Sequence, residues 1–401
     1  MIYFLKYNNN KLLGEFLNEP EFGLFYYTEL LKQPVITEEE INLDLSDELL
    51  ESNLEASLSF IVKTVKIDDK YVHLLFSKNE NLDINYLTFE EIYNGLSDIY
   101  KLEDILNILG KLFKLPNGNY VCDNVQSYIT AIEEMSNNYN GEHFFRGHYS
   151  YKYMLVPSLY RKKRYYDNES FMYMDFKTEF YKELSGKKYI EILTTMQHYK
   201  MPTRLLDTTS NPLVALYMAI DKPTNYTRED LGIGEVIFMS EDKKNIKYSD
   251  SNAVTILSSL AVLETHFKQE LYEKIIESKE KNDPSIYKNS MAYKRFVAEV
   301  STELKGFDET FFNPDVLLKH RHVKVGMINE RIVAQSGNFI LFGLCNYETG
   351  DYLPLNTVSK ERIFVVNKQY IMKQLELLNI DSGSMYPDKD HMSSEIIKKY
   401  D

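Results

Sequence analysis

The chain has 401 residues, 44% of them hydrophobic, which is enough for two or three domains with sizeable cores. A net charge of −14 excludes a broad nucleic-acid-coating surface, and no apolar run is long enough to span a bilayer. No signal-peptide pattern opens the sequence, and Cys122 and Cys345 are too far apart in sequence to read as a disulfide framework, so a cytoplasmic protein is expected.

Met1–Tyr7 and Leu12–Phe16 flank three asparagines and read as a hairpin. The acid-rich stretch Glu38–Leu50 reads as a helix or loop. Leu58–Lys66 and Tyr71–Ser77, split by Asp68-Asp69-Lys70, predict a second hairpin. Phe89–Phe113 predicts a helix, broken by Leu115-Pro116-Asn117-Gly118-Asn119. Acids outnumber bases about two to one up to Tyr120. Residues 1–118 are therefore expected to form an acidic α+β accessory domain without catalytic groups. Residues 119–381 form the second domain, with a helical excursion at about 245–320, and 382–401 a polar tail.

In the second domain, Asp123 is placed to cap a helix carrying Val125, Tyr128, Ile129 and Ile132. Phe144 and Phe145 read as strand, with Arg146 at its end beside Gly147. An arginine there offers a permanent charge and a fork of donors to phosphate or carboxylate, or pairs structurally among the aromatics. Arg161-Lys162-Lys163-Arg164 is a solvated basic face, or the complement of a charged ligand. Ser170–Leu184 predicts a helix with Phe171, Met174, Phe176 and Phe180 inward, and Ile190–Tyr199 predicts another.

Gln197–Ile220 is the most informative run. Leu205 and Leu206 end a short buried strand, and Asp207-Thr208-Thr209-Ser210-Asn211 follows as a polar cluster. Pro212 suits the first helical position, with Asn211 or Ser210 as N-cap, and Leu213, Leu216, Tyr217 and Ile220 recur at helical spacing. Hydroxyls beside a helix start either cap it or help bind an anion. Beyond it come a strand at Gly234–Ser240, a long helix from Val254 to Ile275 and a helix at Met291–Leu304. Glu330–Phe342 reads as strand, turn, strand, followed by a strand at Arg362–Val366 and a helix at Tyr370–Leu378. Neither His148, His198 and Asp207 nor His320 with His322 has a metal-ligand spacing, and no metal is expected.

Phe145-Arg146-Gly147, Pro157-Ser158-Leu159-Tyr160-Arg161, the block from Gln197 to Thr209, and Arg331 to Phe339 together resemble the FRG domain. The likeness covers about Cys122 to Asp381. Lys200 departs from it, standing where the family commonly has glycine, with an altered turn before Pro202 as the expected result.

A second resemblance is to ADP-ribosyltransferases of the Arg–Ser–Glu type. Arg146, then Thr208-Thr209-Ser210 entering a helix with Ala215 and Ala219, then the Gln335 turn fall in that family's order. The resemblance implies an α+β fold with a split sheet, NAD as the consumed cofactor, and Arg146, Asp207, Thr209, Ser210 and Gln335 as catalytic groups. It further implies Arg146, His148, His198, Arg204, Thr208 and Asn211 as NAD-binding groups. The late turn lacks the family's glutamate. Gln335 orients a ribose hydroxyl but carries no charge, so Asp207 or Glu330 substitutes, or the site binds without turnover. The expectation is a mono-ADP-ribosyltransferase serving as a toxin or phage-defence effector, with an antitoxin or regulatory protein as partner. The alternative is a non-catalytic nucleotide-sensing or interaction module.

Overall fold

The computed structural model describes five strands before residue 119, then residues 119–221, 233–326, 330–348, 359–388, 393 and 397. The early strands are β1 (Ile2–Asn8), β2 (Lys11–Leu13), β3 (Val35–Asp44), β4 (Ser57–Ile67) and β5 (Lys70–Ser77), in the order β2-β1-β5-β4-β3. Both predicted hairpins form: Asn8 faces Lys11, and Ile67 faces Lys70. The acidic run from Glu38 to Asp44 is neither helix nor loop but part of β3. There Thr37, Glu39, Ile41 and Leu43 keep a two-residue period that a helix would not use. β3 is an edge strand. The helix expected at Phe89–Phe113 and the boundary near Pro116–Gly118 lie outside the described residues.

From Tyr120 onward the fold is α+β around a mixed sheet of eight strands. These are β6 (Tyr120–Cys122), β7 (Glu142–His148), β8 (Leu205–Thr209), β9 (Gly234–Glu241), β10 (Lys247–Tyr248), β11 (Arg321–Lys324), β12 (Gly337–Leu341) and β13 (Ser359–Val365). Their order is β10-β11-β12-β8-β7-β9-β13-β6, with parallel pairs only at the two ends. β7 pairs with β9 along its whole length, and β8 with β12 from Leu205 to Thr209. β7 and β8, however, meet at the single pair Phe145↔Thr209. The sheet is thus two ribbons joined at one point.

The described helices longer than four residues include α1 (Val125–Asn138), α2 (Glu169–Glu179), α3 (Tyr189–His198), α4 (Pro212–Ile220), α5 (Asn252–Ser258), α6 (Thr265–Lys281), α7 (Met291–Glu303), α8 (Glu330–Ala334) and α9 (Lys368–Leu377). Asn124 rather than Asp123 caps α1, its Oδ1 accepting from Ser127 N at 2.8 Å. In α2 the inward aromatics are Tyr173 and Phe176, whereas Phe171 and Met174 are exposed, and so is Phe180 just past its end. The expected long helix from Val254 to Ile275 is broken between Ser258 and Glu264, which lets Leu257, Leu260 and Leu271 all enter one core. α1, α4 and α9 pack with Phe145, Val236 and Phe238 in a second core. A third core joins Phe144, Leu206, Ile237 and Ile340. Gly147 lets α4 lie directly on β7, because a Cβ there would stand 2.0 Å from the Ala215 carbonyl oxygen.

Candidate functional site

The single β7–β8 pair positions the site. Next to it, Arg146 on β7 and Thr208 and Asp207 on β8 line a cavity of about 240 Å³. The end of α3 adds Gln197 and His198, the turn after it Lys200, and the segment before α2 adds Ser158 and Arg161. α8 and the turn behind it supply Arg331, Ile332 and Gln335, with Asn338 and Phe339 of β12 beneath.

Arg146 Nη1 donates to the Asp207 carbonyl oxygen at 3.0 Å and stands 3.5 Å from its Oδ2. Asp207 Oδ2 also accepts from Gln197 Nε2 at 2.8 Å. Arg146 Nε, Thr208 Oγ1 and His198 Nδ1 are buried without hydrogen-bond partners. The Arg161 guanidinium is pulled below its ordinary pKa by loss of solvent and then by neighbouring Arg146. Arg331 lies 5.0 Å over the Tyr386 ring. Four cationic side chains and one carboxylate, Asp207, therefore line the cavity among the described residues. In a chain of net charge −14, this is a local reversal of charge.

Of the residues singled out in the sequence, the cavity brings together Arg146, Asp207, Thr208, His198 and Gln335. Others serve the fold. Thr209 sits at the β7–β8 junction, where pairing leaves no opening. Its Oγ1 donates to the Gln335 carbonyl oxygen at 2.7 Å and accepts from Asn211 N at 2.9 Å. Ser210 is exposed, with its hydroxyl 3.4 Å from the Ser336 carbonyl oxygen. Asn211 caps α4, accepting from Leu213 N at 3.0 Å. The polar cluster misled because β8 continues through Thr209 instead of ending at Leu206.

Arg204 does not line the cavity. It is 1% exposed and clamps Glu169 through Nε and Nη2 at 2.7 and 2.6 Å, while Lys268 Nζ approaches the same carboxylate at 2.7 Å. His148 is likewise buried, its Nδ1 2.9 Å from Glu235 Oε1, whose other oxygen accepts from Arg362 at 3.2 Å. Burial pushes Glu235 up to about 7 against the opposing pull of Arg362, and burial, then Arg146, hold His148 low. Gln335 is buried rather than on a rim, its Nε2 donating to the Met385 carbonyl oxygen at 3.0 Å. Glu330 does not line the cavity.

Arg331, Gln197 and Lys200 line the cavity without having been singled out as ligand-binding groups, and Arg161 joins them from the basic run that suits a charged ligand. Arg331 was hidden because Glu330–Ala334 is helical rather than strand. On a helix Arg331 and Gln335 are four apart and share a face. Lys200 itself takes a left-handed backbone conformation, at φ 61°. Among the described residues no three metal-ligating side chains cluster, and no helix is long and apolar enough to cross a membrane.

No curated protein and no solved structure matches the chain. The family model of the FRG domain matches residues 141–228. That span runs from the glycine before β7 past the end of α4 and so contains Arg146, Arg161, Lys200 and Asp207. The part of the chain that supplies most of the cavity's charge is thus the part that matches the FRG domain.

Proposed function

We propose that the cavity binds a nucleotide through its phosphates, with NAD as the first ligand to test. The observation that carries this reading is the donor set. Four cations converge with one carboxylate, and Arg146 Nε and Thr208 Oγ1 are buried donors awaiting an acceptor. A buried donor left unmade costs about 1–3 kcal/mol, and a phosphate oxygen relieves it with a charge-assisted bond. At about 240 Å³ the cavity is smaller than a typical site of about 300–1,000 Å³, so it takes the phosphate-bearing part while the rest of the ligand extends from the mouth.

One observation favours ADP-ribosyl transfer as a second reading. Asp207 is the lining carboxylate, is oriented by Gln197, and keeps 41% of its side chain exposed. It is able to stabilise an oxocarbenium-like ribose, whereas Gln335 is tied to Met385 and carries no charge. The parting of β7 and β8 agrees with the split sheet that the transferase resemblance implies. An effector role in toxicity or phage defence belongs to this second reading.

Calorimetric titration with NAD and ADP-ribose, together with an assay for nicotinamide release, tests both. Binding without release supports a sensing module, and binding with release supports transfer. If neither compound binds, the nucleotide reading is wrong.

A further inference from the structure

The C-terminus of α3 closes with Lys200 N donating to the Gln197 carbonyl oxygen at 3.0 Å and Met201 N to that of Met196 at 2.9 Å. These two bonds, with a left-handed residue between, form a Schellman motif whose left-handed position favours glycine. Lys200 holds that position at φ 61°. The other non-glycine residues of positive φ among those described are Asn282, Ser336, Asn367 and Asn379, all short and polar. Lys200 is the exception, a long charged side chain in a conformation that disfavours any Cβ. Its side chain is exposed, lines the cavity, and forms no ion pair among the described residues.

We infer that Lys200 selects a diphosphate over a monophosphate. This rests on the reading of the cavity as a phosphate site. Arg146 Nε and the Thr208 hydroxyl, both buried and unpartnered on residues that line the cavity, already suit one phosphoryl group. An additional ammonium on the exposed turn widens the positive field toward solvent, where a second phosphoryl group of the same ligand would lie. A backbone that tolerates strain to present an unpaired cation at a cavity is more readily explained by a ligand than by the fold, because the fold would be relieved by glycine.

Two substitutions separate charge from strain. Lys200→Gly removes both, and Lys200→Gln removes the charge while keeping a long side chain in the left-handed region. Calorimetry with inorganic phosphate, inorganic pyrophosphate and ADP-ribose is run on each, with thermal unfolding of the free proteins. Both variants are expected to bind pyrophosphate and ADP-ribose about tenfold or more weakly, with phosphate affinity within about threefold of wild type. The melting temperature of Lys200→Gly should rise. Tighter wild-type binding of ADP-ribose than of pyrophosphate identifies the diphosphate as part of a nucleotide, and equal binding identifies the diphosphate itself as what is recognised. Undiminished pyrophosphate binding by either variant, or equal losses for phosphate and pyrophosphate, would overturn the assignment of Lys200 alone. A wild-type protein that binds none of the three overturns the phosphate reading itself.

Discussion

Replacing Arg204 by alanine separates a structural arginine from a ligand-binding one. Its guanidinium makes two bonds to Glu169 and a third, at 2.9 Å, to the Phe342 carbonyl oxygen. The triad with Lys268 ties α2 and α6 to the start of β8 and the segment after β12. Truncation leaves Glu169 with Lys268 alone, strands the Phe342 oxygen and opens a void where a fully buried side chain stood. Breaking a buried ion pair costs about 3–5 kcal/mol, and the remaining lysine places the expected loss near 3 kcal/mol. For a domain of this size each kcal/mol moves Tm by about 2–4 °C, so a fall of roughly 6–12 °C is expected. Burial alone would raise the Glu169 pKa, but Arg204 and Lys268 outweigh it and hold the carboxyl below its ordinary value. Its contribution is therefore present above the unfolded pKa and is lost as pH falls through the folded one, so the variant's acid sensitivity below about pH 4 should be shallower. Urea denaturation at pH 7 and thermal melts from pH 3 to 7 measure both. An Arg204→Ala protein of wild-type stability that no longer binds nucleotide would refute the structural assignment.

Two further outcomes follow from the same geometry. Gln335→Ala should lower stability by about 1–2 kcal/mol as well as weaken binding, because the side chain is a buried link to Met385 and not a free rim residue; urea denaturation checks this, and unchanged stability would return Gln335 to a purely ligand-facing role. Glu235 has a folded pKa raised to about 7, so its stabilising contribution is full below the unfolded value and is lost as pH rises through about 7. Glu235→Gln should thus gain stability relative to wild type as pH goes from 5 to 8, and a constant Tm difference across that range would contradict the shift.

Much of the fold was legible where period and punctuation agreed. Pro212 behind Asn211, the buried run at Gly234–Ser240 and the hairpin around Asp68-Asp69 all became the expected elements. Errors arose where local signals competed with packing. Acidic residues masked the period-two pattern of β3, and the apolar repeat from Val254 to Ile275 conceals a break that only its shared core explains. In the site, Arg146 and Asp207, both implied by the transferase resemblance, lie in contact across 61 residues. Thr209 was not separable from Thr208, because only the pairing of Thr209 with Phe145 shows which hydroxyl is enclosed at the junction. Arg204 and Arg146 look alike as letters. They differ in surroundings, one clamped on Glu169 and the other with its Nε unpartnered.

The central claim is that Arg146 holds the phosphate of a bound nucleotide. Calorimetric titration of ADP-ribose into wild type and Arg146→Ala, with thermal unfolding on the same preparations, tests it most directly. Removing a charge-assisted contact of about 2–4 kcal/mol should weaken binding roughly thirty- to thousandfold. Stability should change by less than about 1 kcal/mol, because Asp207 stays part-exposed and bonded to Gln197 when Arg146 is gone. A stable Arg146→Ala protein that binds ADP-ribose as tightly as wild type would contradict the account.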